Sequence, residues 1–443
     1  MNTANYNHSL QTLHKAYEER VFSPREFLTA CRKRILSESE NRAWINVISE
    51  PMLEAFLEKL EKPESFELPL RGVPFAMKDN IDCAGFPTTA GCPAYSYEPA
   101  HSAHVVQKCI DAGAVPMGKT NMDQFATGLV GTRSPHGTAV NPHDPERIPG
   151  GSSSGSAVAV AQKQVCFALG TDTAGSGRVP AALNHLCALK PSRGLLSTRG
   201  VVPACRSLDC VSLFGHDNSD LLRICQLIGE YDPLDPFARK IQPRTPPTSR
   251  TLGVPQKGDL FWFSDVDYAT AWHQALETLK QAGWEIKPID YRPFLQAARL
   301  LYEGPWIAER YAAIQPFCEE QASAMHPITR DIILKGKNPK AWEYFRASEK
   351  LHILKRNVEH LMTDLAALVL PTTGGWPTIK DVEAEPFLIN TQLGYYTNFL
   401  NLLDLCAVVT PTSNPTETNS SATPFGLTWC APTGSESFLS QLK

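Results

Sequence analysis

Residues 150–180 read GGSSSGSAVAVAQKQVCFALGTDTAGSGRVP, and the fold of the chain turns on this stretch. It holds two small-residue runs, Gly150–Ala157 and Thr171–Pro180, with serines set in a backbone almost free of side-chain bulk. Glycine lets main-chain N–H groups approach a ligand closely, so a serine in such a run is presented beside bare amide donors, as acyl transfer requires. A Gly/Ser-rich run standing alone reads as a flexible linker. Here it continues into AVAVA (157–161) and a strand-like VCFALG (165–170), which puts it inside a core. The expected local structure is a helix over Ser154–Gln162 and a strand over Val165–Leu169.

Outward from there, Val73–Ile81 (VPFAMKDNI) places Lys78 at the end of a short apolar run, Pro74–Met77, that reads as a buried strand. Burial disfavours the ammonium form, so Lys78 is expected to titrate well below the ordinary value of about 10.4 and to serve as a base. A helix near Ala103–Ala112 and a strand over Ala114–Met117 continue the alternation, which favours an α/β sheet with helices on its faces. Nearer the N-terminus Leu10–Glu19 is amphipathic. Ser23-Pro24-Arg25-Glu26 combines an N-cap, a proline at the first helical position and a capping-box glutamate, opening a helix through about Leu36. The proline-rich Gln242–Ser249 separates this part from helices near Asp267–Ala282 and Lys340–Leu365 and strands at Leu368–Leu370 and Ala407–Thr410. Thr410–Thr423 is unusually polar and reads as a loop, and no internal repeat is found.

The three segments around Lys78, Ser152 and Ser176 together resemble the amidase signature family, serine hydrolases with a Ser–Ser–Lys arrangement. The resemblance runs from about residue 10 to the C-terminus. It implies a single large mixed β-sheet covered by helices on both faces, with a helical insertion over the active site. It divides one domain, 1–443, into N-terminal helices (about 8–65), a catalytic core (about 66–240) and a substrate-recognition part returning to the sheet (about 250–443). Ser176 is implied as nucleophile, Ser152 as a bridging serine after a cis Gly151–Ser152 bond, and Lys78 as terminal base. The N–H groups of Thr173, Ala174, Gly175 and Ser176 are implied to face the oxyanion. The chain departs from the family pattern at Ala174, where a glycine is usual, and at Gly177, where a β-branched residue is usual.

Within the family, Asp123–Pro135, Thr173–Asn184, Leu195–Cys210 and Leu301–Ala312 look like the allophanate hydrolases, which complete urea breakdown. That likeness implies a small anionic ureido substrate held by Tyr302 and Arg310, with Arg133, Gly128 and Ser153 as further binding candidates. A guanidinium fork suits a carboxylate, and a phenol adds a directional hydrogen bond. Gly304-Pro305 interrupts the helical pattern between Tyr302 and Arg310, so spacing does not fix their geometry. Urea carboxylase is implied as a pathway partner and a homodimer is expected. Such enzymes commonly carry a further C-terminal domain, and this chain ends at Lys443. A transamidase subunit, an amidase for another ureido acid and a non-catalytic subunit of the same fold remain as alternatives.

Two chance matches carry less. Gly151–Gly155 fits the G-x-S-x-G elbow around Ser153, a pattern that serine-rich sequence meets by accident. Ser440–Lys443 fits S-x-x-K at the chain's last residues. The 443 residues are 42% hydrophobic and 20% charged, ordinary for a large globular enzyme. A net charge of −4 without basic runs argues against nucleic acid as a principal partner. No apolar run reaches membrane-spanning length and no signal-peptide layout opens the chain, so a cytoplasmic enzyme is expected. The twelve cysteines lack paired or metal-like spacing and read as reduced, buried side chains, with no metal or cofactor implied.

Overall fold

The computed structural model describes residues 2–412 and 423–442. Eleven strands form one sheet: β1 (Trp44–Val47), β2 (Pro74–Lys78), β3 (Val115–Thr120), β4 (Phe167–Asp172), β5 (Cys187–Lys190), β6 (Cys210–Gly215), β7 (Thr251–Pro255), β8 (Glu285–Ile289), β9 (Ala367–Pro371), β10 (Leu405–Pro411) and β11 (Gly426–Pro432). Their order is β1-β3-β2-β4-β6-β5-β10-β11-β9-β7-β8. The sheet is mixed. β3-β2-β4 and β9-β7-β8 are parallel, and the strands between β4 and β9 pair antiparallel.

Every residue of β2, β3, β4, β5, β6 and β9 is buried. Successive strand residues point to opposite faces, so helices must cover both. The helix Ser154–Ala161 packs on β4, β2 and β6, and Arg178–Leu183 packs on β5, β10 and β11. A second apolar cluster joins the helices Arg292–Tyr302 and Ala341–Met362 to Leu368, Leu370, Leu405 and Ala407 of the late strands. A third sets Ile314, Phe317 and Ile333 against Ala90, Phe125 and Val202. The expected α/β sheet is therefore present, and its strands come from both sides of the proline-rich 242–249 segment.

Local signals place the helices well. Leu10–Glu18 is helical, and Pro24–Ser37 starts with the Ser23/Glu26 capping box, both halves of which are made. The later helices are Val266–Gln281 and Ala341–Met362. Two strands are displaced from expectation: the Ala114–Met117 strand is Val115–Thr120, and the Val165–Leu169 strand is Phe167–Asp172. An apolar run marks the middle of a buried strand, whereas Lys119, Thr120, Thr171 and Asp172 are polar residues that continue the ladder while buried. β1, β5, β6, β7, β8 and β11 were not anticipated. Of the polar 410–423 stretch, residues 413–422 lie outside the described residues, and Thr410 and Pro411 close β10. All twelve cysteines are buried.

Candidate active site

The site is assembled at the ends of β2 and β4. Lys78 is the last residue of β2 and fully buried. Its Nζ donates to Ser152 Oγ and to Thr171 Oγ1, each at 2.7 Å. Burial pulls its pKa down to about 7; the charges of Asp123, Asp209 and Asp172 oppose that and Arg310 adds to it. None of these carboxylates forms an ion pair with Lys78 among the described residues, because each is spent elsewhere. Asp123 accepts from the N–H groups of Gly131 and Arg133. Asp172 takes Arg178 through Nε and Nη2, both at 2.9 Å. Burial would raise the Asp172 carboxyl, but Arg178 overrides it and holds it at about 2.

Ser152 follows a cis peptide bond from Gly151. A side chain at Gly151 would collide with the Asp123 carboxylate and the N–H of Gly131, so only glycine fits there. Ser176 lies in the turn between β4 and the helix Arg178–Leu183 and is 3% exposed. Its hydroxyl donates to the Gly128 carbonyl at 3.4 Å. Among the described residues no hydrogen bond joins the hydroxyls of Ser152 and Ser176. The 153 amide donates to the Ser176 carbonyl at 3.3 Å, which binds the two serine loops together.

The four amides expected around an oxyanion divide. The N–H of Gly175 donates to Asp172 Oδ1 at 2.8 Å and is committed to bracing the turn, as are those of Gly177 and Arg178. The N–H groups of Thr173, Ala174 and Ser176 have no acceptor among the described residues. Gly175 has φ +125° and passes so close to Thr397 that a side chain would strike its hydroxyl, whereas Ala174 keeps an ordinary backbone.

On the opposite side, Arg310 in the helix Ile307–Ala313 is 2% exposed. It donates through Nη1 to Thr127 Oγ1 (3.1 Å) and through Nη2 to the Tyr302 hydroxyl (3.2 Å), and its Nε has no partner. Arg310 therefore does not lie on a solvated helix face. Gly128 has its carbonyl at the Ser176 hydroxyl, as just described. Arg133 is buried too, but its guanidinium clamps the carbonyls of Thr127 and Pro386 at 3.0 Å each. The Ser153 hydroxyl is taken up by the backbone of Thr171, accepting at 3.3 Å and donating at 3.2 Å. Arg133 and Ser153 thus bond to the walls of the site, and Arg133 Nε, like that of Arg310, has no hydrogen-bond partner.

Sequence reasoning missed Thr171, Thr127, Asp172 and Asp209. Asp209 accepts from the Thr173 hydroxyl and from the amides of Ala204 (2.9 Å) and Cys205 (3.1 Å). Burial pushes its carboxyl up to about 6. Thr171 and Asp172 flank the predicted strand and were findable as polar residues ending it. Asp209 and Thr127 come from remote loops and carry no local signal. No cluster of metal-ligating residues occurs among the described residues, and no helix there is long and apolar enough to cross a membrane.

The chain is similar to proteins already known. The urea amidolyases of Lachancea kluyveri and Saccharomyces cerevisiae are each 44% identical to the chain, over 85% and 84% of it. The chain spans 21% and 20% of their lengths, about a fifth of each relative. A solved allophanate hydrolase of Kluyveromyces lactis superimposes with a TM-score of 0.89 at 39% identity, covering 97% of this chain and 71% of that one. Residues 26–439, which carry Lys78, both serine loops and Arg310, match the Amidase family from the second N-terminal helix almost to the last residue, and the chain belongs to that family.

Proposed function

We propose that this chain hydrolyses the terminal amide of allophanate, with Ser176 as nucleophile, Ser152 as proton relay and Lys78 as base. With a pKa near 7, about half of Lys78 is neutral and able to accept a proton at neutral pH. The Ser176 hydroxyl turns from the Gly128 carbonyl toward Ser152 and attacks the amide carbon. Its proton passes to Ser152 while Ser152 gives its own to Lys78. The new oxyanion lies against the open N–H groups of Thr173, Ala174 and Ser176; each such donor is worth about 3–4 kcal/mol in serine hydrolases. The C–N bond breaks as the Lys78 proton returns through Ser152 to the leaving nitrogen, giving ammonia and an acyl-Ser176 ester. Water, deprotonated by the same relay, releases N-carboxycarbamate, which breaks down to carbon dioxide and a second ammonia.

The observation that carries the substrate assignment is Arg310, a buried guanidinium beside the Tyr302 hydroxyl with a donor left unpaired. A buried unpaired donor is costly unless a ligand completes it. The substrate carboxylate supplies both the hydrogen bond and the counter-charge. The likeness to an allophanate hydrolase over 97% of the chain supports the same reading. Tyr302 and Arg310 thus form the anion subsite, on a helical segment between β8 and β9 that we place over the site. Allophanate arises by carboxylation of urea, so urea carboxylase is the partner activity. A homodimer in the cytoplasm completes the proposal.

Steady-state ammonia release from allophanate tests it. Ser176→Ala is expected to abolish turnover. Arg310→Ala is expected to raise KM about 10–100-fold with a smaller change in kcat, the mark of lost carboxylate binding. Equal activity of the wild type on neutral alkyl or aryl amides contradicts the assignment.

A further inference from the structure

We infer that Glu309 is a positioning residue: it ties the helix bearing Arg310 to the turn bearing Asp209, and so keeps the anion subsite in register with the nucleophile's loop. The inference rests on the proposed function and adds a residue to it. Glu309 neighbours Arg310 in sequence, yet no ion pair joins them among the described residues. Its carboxylate crosses instead to the 204–209 turn. Oε1 accepts from the Ser207 amide at 2.7 Å, and Oε2 from the Ser207 hydroxyl at 2.7 Å and the Cys205 thiol at 2.9 Å.

That turn is closed on itself. The amides of Leu208 and Asp209 donate to the Cys205 carbonyl at 2.8 and 2.9 Å, while the Asp209 carboxylate receives the amides of Ala204 and Cys205. It is fastened in turn to the catalytic loop. The Thr173 hydroxyl donates to Asp209, and Asn401 Nδ2 spans the carbonyls of Leu208 (2.8 Å) and Asp172 (2.7 Å). A continuous path of short bonds therefore runs from the Arg310 helix through Glu309 and Asp209 to Thr173, three residues before the nucleophile. On its other side Arg310 bonds Thr127, next to Gly128, whose carbonyl holds the Ser176 hydroxyl.

The chemistry explains why such a tether matters. Allophanate is short and planar, so its carboxylate and its scissile carbonyl stand at a fixed separation. The protein must hold Arg310 and the open amides of the loop at that same separation. A misplacement of about 1 Å between binding and reacting groups costs on the order of 100-fold in rate. Loss of the tether should thus lower kcat while leaving the carboxylate bound.

Four single variants of the chain and one double variant test this with allophanate, with active sites counted by fluorophosphonate labelling of Ser176. Glu309→Gln keeps the reach: its carbonyl accepts from the Ser207 amide and its NH2 donates to the Ser207 hydroxyl. Glu309→Asp keeps the charge but withdraws it by one methylene. The tether predicts that Gln retains kcat within about threefold, whereas Asp and Glu309→Ala lose roughly 10–100-fold with KM changed less than about threefold. On an Arg310→Ala background the Glu309→Ala loss should shrink to less than about threefold, because the two act as one unit. Asp outperforming Gln would assign a charge effect and overturn the inference. So would equal losses on both backgrounds, or a lowered unfolding midpoint with kcat per labelled site unchanged. A wild type that cleaves other amides but not allophanate sinks the substrate assignment instead, and the tether's purpose with it.

Discussion

Lys78 and Lys119 lie on neighbouring parallel strands, one register step apart, and both side chains are sealed from water. Lys78 pairs across the ladder with Thr120 and Lys119 with Met77, so the two amines leave opposite faces of the sheet. Lys119 meets the Thr88 hydroxyl at 2.9 Å and the Asp79 carboxylate at 3.7 Å. Lys78 meets only hydroxyls. Burial lowers both amines, but Lys119 has a carboxylate in range to hold its proton, whereas the carboxylates near Lys78 are spent on other donors. The difference teaches that burial weakens an amine's hold on its proton, and that withholding a direct counter-ion leaves the amine neutral enough to act as a base.

Replacing each lysine by methionine sharpens the contrast. Lys78→Met should lower kcat/KM by at least roughly 10³-fold, since the relay loses its terminus. The same change should raise stability at neutral pH. Lys78 moves from 10.5 in the open chain to about 7 when folded, so at pH 7 its burial costs on the order of 5 kcal/mol. The unfolded chain binds this proton between those values and the folded chain does not, so the wild type gains stability as pH rises from 7 to 10.5. The advantage of Lys78→Met in denaturant unfolding should accordingly fade toward pH 10.

Lys119→Met should do the reverse. It strands the buried Asp79 carboxylate, whose Oδ1 has no hydrogen-bond partner, at a cost of about 3–5 kcal/mol in denaturant unfolding. Its kcat per labelled Ser176 should stay within about threefold of wild type. A Lys119→Met enzyme that folds normally but loses its chemistry would break the comparison.

The smallest effect concerns neighbours rather than partners. Removal of water dominates the low Lys78 value, with Arg310 lowering it further and Asp209 raising it. Arg310→Met should move the acidic limb of kcat/KM to higher pH and Asp209→Asn to lower pH, each by less than about one unit.

The half of the site proposed as catalytic was more legible than the half proposed for recognition, for a physical reason. Ser152 and Ser176 sit in runs where only small residues fit, as the crowding around Gly151 and Gly175 shows, and such runs stand out in a sequence. Lys78 was visible because one charge ended an apolar strand. Thr171 and Asp172 sit at the same kind of strand end but were passed over, since an apolar-run reading stops at the last hydrophobic residue. Arg310 and Tyr302 came from resemblance. Their meeting depends on the break at Gly304-Pro305 and on packing against Thr127, over 180 residues away. Asp209 and Glu309 work entirely through such long-range closures, which no local pattern encodes. The unanticipated strands include β5, β6 and β11, whose order in the sheet is set by pairing across the chain rather than by their own short apolar runs.

The most direct test of the central claim is titration of the lysine side chains enriched with 13C at Cε, with the Lys78 resonance identified by its loss in Lys78→Met. The account predicts a midpoint near the value of about 7 given by the buried, unpaired environment. A Lys78 resonance that stays in the ammonium form up to about pH 9, like an ordinary lysine, would contradict it.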